Sequence, residues 1–278
     1  MPELPEVETT KRGLIPLIVN QVVKLATLYR DNLRWDIPKH LPTTLANQCI
    51  NSIDRRGKYL LIEFDVGTLI IHLGMSGSIK VVSNNAALKK HDHFELSLGN
   101  NTVMRLNDPR RFGAVLFSDD GAHPLLDSLG AEPLEDVFGE SYLYIRSRNK
   151  QQNIKAFIMD SKVVVGVGNI YACESLHQAG INPERKAGSV SKKHYQLLTQ
   201  CIKDILTQAI KAGGTTLQDF SQVDGSPGYF AQTLNVYGRE GEQCGTCNDS
   251  VQHTLEGCKI VRIIQNQRST FYCPTCQT

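Results

Sequence analysis

Apolar residues recur at near-helical spacing over residues 5–19, where Val7, Leu14, Ile15 and Ile18 follow a proline suited to a first helical turn. That spacing predicts one helix. Pro16 lacks the N–H that a helix interior uses, which predicts a bend or an end there. From residue 21 to residue 119 the apolar period falls to two. Alternating or β-branched runs at 21–29, 50–56, 59–65, 68–73, 78–82, 93–98, 102–106 and 114–118 predict strands. Asp-Val-Gly at 65–67 and Gly-Asn-Asn at 99–101 mark turns within this stretch. Many short strands at such spacing predict a β-sandwich or barrel, here carrying an N-terminal helix.

After Gly130 the pattern changes again. Residues 131–139, with Pro133 and several acids, read as a linker. Helical periods follow at 141–149, 154–159, 169–178 and 191–212. Ser191 is suited to cap the last helix and Gly213-Gly214 to end it. Helices 169–178 and 191–212, joined through Gly-Ile-Asn-Pro at 180–183, form a helix–turn–helix-like unit whose turn is longer than the common DNA-binding version. Residues 215–229 are polar and without period, which predicts a mobile loop. Runs at 259–264 and 269–272 flank Asn266-Gln267 and predict a hairpin with Arg268 near its tip.

Composition adds limits. The chain has 278 residues, enough for two domains with proper cores, and 41% hydrophobic and 21% charged residues describe a soluble globular protein. No apolar run reaches the ~18 residues of a membrane span, and the N-terminus lacks the apolar core of a signal peptide. A cytoplasmic location follows as the expectation, and with it eight cysteines that serve as thiols or metal ligands rather than disulfides. A net charge of +2 neither demands nor forbids nucleic acid, so a binding face has to come from the arrangement of charges.

Candidate chemistry begins at Met-Pro-Glu-Leu-Pro-Glu-Val-Glu, residues 1–8. Removal of Met1 exposes Pro2 as a secondary amine, and an α-amino group has a pKa near ~8 against ~10.4 for lysine. Such an amine can attack a sugar carbon and form a Schiff base, with Glu3 and Glu6 beside it to move protons. A purely helical reading competes: Pro5 suits a first turn, and Glu6 and Glu8 suit the helix dipole. Arg-Arg-Gly-Lys-Tyr at 55–59 reads as a phosphate-contacting turn led by Lys58, or as a solvated hairpin. His72 and Met75 lie in Ile-Ile-His-Leu-Gly-Met-Ser-Gly, residues 70–77, where core packing is the competing reading. Asp-Pro-Arg-Arg-Phe-Gly at 108–113 suits a side-chain wedge into a base stack, or a turn with Phe112 folded into the core. Gly-Val-Gly-Asn at 166–169 opens a helix and suits phosphate binding through backbone N–H groups and Asn169, or plain packing of the valines before it. The most specific spacing is Cys244-x-x-Cys247 with Cys273-x-x-Cys276, two knuckles suited to four thiolates on one Zn²⁺. The gap separating them exceeds the usual ~15–20 residues; residues 248–258 read as an insertion, and Cys258 as a spare or competing ligand.

Together these motifs closely resemble the bacterial formamidopyrimidine-DNA glycosylases. The resemblance rests on the opening octapeptide, Arg-Gly-Lys-Tyr-Leu, Asp-Pro-Arg-Arg-Phe-Gly, Val-Gly-Val-Gly-Asn-Ile-Tyr-Ala and the closing Phe-Tyr-Cys-Pro-Thr-Cys-Gln, in that order. It implies an α+β multidomain protein: an N-terminal catalytic β-sandwich with flanking helices over 1–130, and a linker with a first helix over 131–150. A helix-two-turn-helix domain with a lesion-capping loop would follow over 151–240, and a zinc β-ribbon over 241–278. It implies a monomer acting on duplex DNA that contains an oxidised purine or an abasic site, with excision of 8-oxoguanine and formamidopyrimidines followed by β,δ-elimination. By position, Pro2 would be the nucleophile, Glu3 the proton donor and Glu6 the group that orients the N-terminus. Lys58, Asn169 and Arg268 would grip phosphates. Met75, Arg110 and Phe112 would fill the gap left by the flipped nucleotide, and His72, His91 and Lys155 would join the DNA-contacting set. Cys244, Cys247, Cys273 and Cys276 would hold one structural zinc. Two alternatives share parts of the pattern. An endonuclease VIII-like glycosylase for oxidised pyrimidines would share Pro2, Glu3 and the ribbon, but usually opens Met-Pro-Glu-Gly-Pro-Glu and lacks the filler set. A non-catalytic zinc-containing DNA-binding protein is the other.

Overall fold

A computed structural model describes residues 2–215, 223, 228–248 and 258–278. The chain divides into two units, Met1–Ser128 with Ala209–Ala231, and Leu129–Gln208 with Gln232–Thr278.

The first unit runs α1 (Leu4–Ile18), β1 (Val23–Leu28), α2 (Leu41–Leu45), β2 (Ser52–Arg56), β3 (Tyr59–Phe64), β4 (Gly67–His72), β5 (Ser78–Ser83), β6 (Asp92–Leu98), β7 (Thr102–Asn107), β8 (Ala114–Ser118) and α3 (Pro124–Asp127). The strands form two antiparallel four-stranded sheets, ordered β1-β6-β7-β5 and β2-β3-β4-β8. Alternation along the sequence decides which side chains face inward. In β3, Leu60, Ile62 and Phe64 are buried while Tyr59, Leu61 and Glu63 are partly exposed. Phe94, Leu96, Leu98, Met104 and Leu106 of β6 and β7 join them in one apolar cluster, together with Val7, Leu14 and Ile18 of α1. Each such side chain contributes roughly 1.5–3 kcal/mol on burial. The sandwich expected from period two is therefore present.

α1 does not stop at Pro16. It continues to Ile18, with the Val19 N–H still bonded to the Ile15 carbonyl at 3.2 Å, because Leu14 and Ile18 on either side of the proline are fully buried and hold the last turn. Strand β1 is shorter than its apolar run; Val22 makes only an isolated bridge to Cys49. The helix α2, Leu-Pro-Thr-Thr-Leu, is too short to show a period, so the pattern of apolar positions does not reveal it.

The second unit contains α4 (Tyr142–Ser147), α5 (Ile154–Met159), α6 (Asn169–Gln178), most of α7 (Lys192–Lys211), α8 (Gly245–Asn248), β9 (Val261–Gln265) and β10 (Arg268–Tyr272). The Ser191 hydroxyl accepts the His194 N–H at 3.2 Å and so caps α7. Gly213 and Gly214, at φ of 75° and 84°, close it, with the Gly214 N–H on the Ala209 carbonyl. β9 and β10 pair through a two-residue turn, Asn266-Gln267, with both residues at positive φ as a type I′ hairpin needs. The end of the chain is fastened to the turn after α6: Gln277 Nε2 donates to the Ile181 carbonyl at 2.9 Å, and the Thr278 N–H to the Gly180 carbonyl at 3.1 Å.

Of the loop expected over 215–229, only Thr215, Val223, Gly228 and Tyr229 are among the described residues, and the insertion at 248–258 lies outside them except at its two ends. None of the eight cysteines is in a disulfide, as expected. Among the described residues no helix is long and apolar enough to cross a membrane.

Candidate active site and nucleic-acid contacts

In the first unit the chain's beginning is packed away. Pro2, Glu3 and Glu6 are all buried, the two glutamates at 1% exposure. Glu6 Oε2 accepts the Glu3 N–H at 2.7 Å, and Oε1 accepts the Thr215 N–H at 2.7 Å. Both carboxylate oxygens thus hold backbone, one at the helix start and one at the foot of the 215–229 segment. The other foot is fixed by the Tyr229 N–H on the Ala212 carbonyl and by Gly228, where a Cβ would lie 2.3 Å from the Gly214 oxygen. Glu6 therefore has the geometry of an orienting group, and the Glu3 side chain forms the reciprocal half of the capping box by accepting the Glu6 N–H.

Glu8, two residues on, receives Arg55 at 3.0 Å and Arg12 at 2.9 Å. Burial works to raise its pKa, but the hydrogen bonds from Arg55 and Arg12 outweigh it and hold the carboxyl below its ordinary value. Arg55 also donates to the Gly57 carbonyl at 3.0 Å, so it braces the turn of the β2–β3 hairpin against α1. Lys58 is the second residue of that two-residue turn, which Gly57 enters at φ 57°. Of the cations in the 55–59 motif, Arg55 is thus committed inward and serves to place Lys58.

His72, at the end of β4, packs at a tilt against Tyr59 with ring centroids 4.8 Å apart, and its Nδ1 accepts the Gly74 N–H at 3.0 Å. Burial, with Lys58 and Arg34 adding repulsion, lowers its pKa to about 4. His72 is neutral at physiological pH and offers Nε2–H as a donor rather than a positive charge.

Met75, Arg110 and Phe112 are set on adjoining loops by one buried group. Asp108 is 0% exposed; its Oδ1 accepts the Ser76 hydroxyl at 2.8 Å and its Oδ2 the Gly113 N–H at 2.8 Å. Ser76 Oγ in turn accepts the Arg110 N–H at 3.1 Å. The loops pass so closely that a Cβ on Gly74, at φ 64°, would meet Gly113 N and Phe112 C at 2.4 Å. Phe112 is not folded into the core: it is 45% exposed, with the Arg110 guanidinium 5.3 Å from its ring centre. The Gly113 carbonyl accepts the Arg34 N–H at 3.1 Å, and the Arg34 guanidinium lies 4.6 Å over the ring of Trp35. His91 stands at φ 79°, where its carbonyl accepts the Asp108 N–H. Asp108→Ala strands two buried donors, each costing about 1–3 kcal/mol. We expect a loss of about 2–4 kcal/mol in urea unfolding; a loss below about 0.5 kcal/mol would contradict the bracing role.

In the second unit, Lys155 is 2% exposed. Its ammonium donates to Asn169 Oδ1 at 2.6 Å, Thr270 Oγ1 at 2.7 Å and the Ser269 carbonyl at 3.2 Å. Asn169 Nδ2 donates to the same Ser269 carbonyl at 2.8 Å. A buried cation thus ties α5, the first residue of α6 and strand β10 together, leaving Arg268 exposed at the head of β10. Arg268 shares with Asn153, Lys155 and Asp160 the wall of a cavity of about 140 Å³.

The four knuckle cysteines converge. Cys244 and Cys276 sulfurs are 3.8 Å apart and Cys247 and Cys273 sulfurs 3.6 Å, with all four within 4.8 Å of one another. A tetrahedron with Zn–S of about 2.3 Å has edges of about 3.8 Å, so the thiols fit one zinc ion. Cys258 is buried in the same apolar cluster but is not one of the four convergent sulfurs. Held by these four thiolates, the ion would supply a structural staple for the ribbon.

Sequence reasoning did not single out Asp108, Ser76, Arg55 or Glu8 as positioning groups. Only Asp108 carried a local signal, an Asp-Pro pair that commonly opens a turn.

Known proteins resemble this chain over its whole length. The chain matches the formamidopyrimidine-DNA glycosylase N-terminal domain over residues 1–115, the formamidopyrimidine-DNA glycosylase H2TH domain over 129–221, and a zinc finger found in FPG and IleRS over 259–278. It is 70% identical to the formamidopyrimidine-DNA glycosylase of Ruthia magnifica subsp. Calyptogena magnifica and 51% identical to that of Alcanivorax borkumensis, over 100% of both chains in each case. Among solved structures, the MutM (Fpg) protein of Thermus thermophilus superposes with a TM-score of 0.87 at 35% identity, covering 99% of this chain and 98% of that one. The Lactococcus lactis Fpg in complex with abasic-site DNA gives 0.88 at 32% identity, covering 99% of each chain.

Proposed function

Since this chain belongs to the formamidopyrimidine-DNA glycosylase family, we propose that it excises oxidised purines, 8-oxoguanine and formamidopyrimidines, from duplex DNA and then cleaves the strand at the abasic site. The observation that carries the reading is the buried group of Pro2, Glu3 and Glu6, with Glu6 fixing the helix start through two backbone bonds.

With Met1 removed, the Pro2 nitrogen attacks C1′ of the extruded nucleotide as Glu3 gives a proton to open the sugar, and the base leaves. The resulting Schiff base is the electron sink for β- and δ-elimination. Extrusion costs a few kcal/mol, and Met75, Arg110 and Phe112 offset part of it by occupying the vacated stack. Lys58, Asn169 and Arg268 bind phosphates; His72 adds a neutral donor, and His91 helps set the loop that carries Arg110. Lys155 acts as a positioning residue through Asn169 and β10. Residues 1–130, 131–150, 151–240 and 241–278 serve as catalytic sandwich, connector, helix-two-turn-helix domain and zinc ribbon of a cytoplasmic monomer. The filler triad, with its exposed phenylalanine, favours purine lesions over the pyrimidine lesions of endonuclease VIII-like enzymes.

The test is borohydride reduction of the enzyme on an 8-oxoguanine duplex, followed by mass mapping of the adduct. A cross-link on Pro2, in protein whose intact mass lacks the initiator methionine, is expected. Tight binding without any adduct would leave the non-catalytic binder as the better reading, and an adduct on an interior lysine would displace Pro2.

A further inference from the structure

Helix α6 presents more to the ribbon than its first residue. Cys173 and His177, four positions apart and so on one face, are buried at 1% and 6% exposure, and Cys173 packs in the apolar cluster that contains Cys244, Cys247 and Cys273. Glu174 beside them accepts the N–H groups of Asn235, Val236 and Tyr237 at 2.8, 3.0 and 2.8 Å, which fixes the chain leading toward the first knuckle. His177 Nε2 lies 3.4 Å from Cys244 Sγ, and Cys244 is fully buried.

A metal-bound cysteine is a thiolate and has no hydrogen to give, so a bond across this distance runs from an Nε2–H of His177 to the sulfur. We propose that His177 is a positioning residue for the zinc site, its ring N–H holding the Cys244 thiolate on the metal and slowing release of the ion. Cys244 belongs to a buried apolar cluster with Val236, Ile260 and Phe271, a setting in which one hydrogen bond counts for more than it would in water. Through this bond, retention of the ion is tied to the helix that begins at Asn169.

The experiment follows zinc transfer from the purified, zinc-loaded full chain to excess 4-(2-pyridylazo)resorcinol, with metal content and circular dichroism recorded beforehand. H177F keeps an apolar ring without a donor, and H177Q keeps an amide N–H at similar reach. Groups that support metal ligands typically change affinity by about 10–100-fold when lost. Release from H177F is therefore expected to be at least about tenfold faster than wild type, with H177Q recovering most of the difference. Equal rates for H177F and wild type overturn the proposal, as does H177Q releasing zinc as fast as H177F. If H177F purifies without zinc, full loading of H177Q supports the hydrogen bond, whereas failure of both to load assigns the effect to packing and overturns it.

Discussion

Glu3→Gln is expected to lower the rate of base excision by about 10²–10⁴-fold, the usual contribution of a positioned general acid, while leaving affinity for lesion DNA within a few fold. Glutamine is nearly isosteric and keeps an oxygen to accept the Glu6 N–H, and the Glu3 N–H that bonds Glu6 belongs to the backbone, so the start of α1 keeps its fastening. Single-turnover excision of 8-oxoguanine against gel-shift binding separates the two quantities. The same variant should still cleave a preformed abasic site more readily than it releases a base, because the sugar there is already open for part of the time. Full excision by E3Q would remove Glu3 from the proton-donor role and direct attention to another acid near Pro2.

Stripping the metal is expected to have the second large effect. Structural zinc supplies roughly 10–16 kcal/mol of apparent binding free energy in small zinc folds, more than a short ribbon can replace from its own core. Without it β9 and β10 lose their anchor. Lys155 then loses its Ser269 and Thr270 acceptors, and Asn169 loses the carbonyl that orients its amide. Amide exchange across 261–272 should rise, Kd for lesion duplex should increase at least about tenfold, and the salt dependence should fall by about one phosphate contact as Arg268 leaves. A metal-free chain that binds lesion DNA with unaltered Kd would mean that the ribbon does not take part in binding.

Much of this fold was legible in the sequence because its segments are individually emphatic. β8 and helices α5 and α6 begin and end where their apolar periods do, and Ser191 and Gly213-Gly214 mark the ends of α7 by side-chain and backbone chemistry alone. Pro16 alone does not decide where α1 ends: a proline's local cost is fixed, whereas the burial of Leu14 and Ile18 that outweighs it is set by the sandwich. Within the site, the reactive residues could be named from motifs, but their supports could not. Glu8 and Arg55 are 47 positions apart and Ser76 and Asp108 are 32, and nothing local reveals which carboxylate takes which donor. Lys155 shows the same limit: a lysine near phosphate-binding motifs reads as a contact, but here its ammonium is enclosed by protein acceptors.

Trp35 is the single tryptophan of the chain, lying under the Arg34 guanidinium, and the Arg34 backbone is bonded to Gly113. A cation over an indole ring alters its emission, and the backbone of the residue that carries this cation is bonded to Gly113, next to Phe112. The protein thereby carries its own optical gauge of that wedge. Stopped-flow fluorescence on unlabelled enzyme can time the insertion step separately from bond breaking at the damaged sugar.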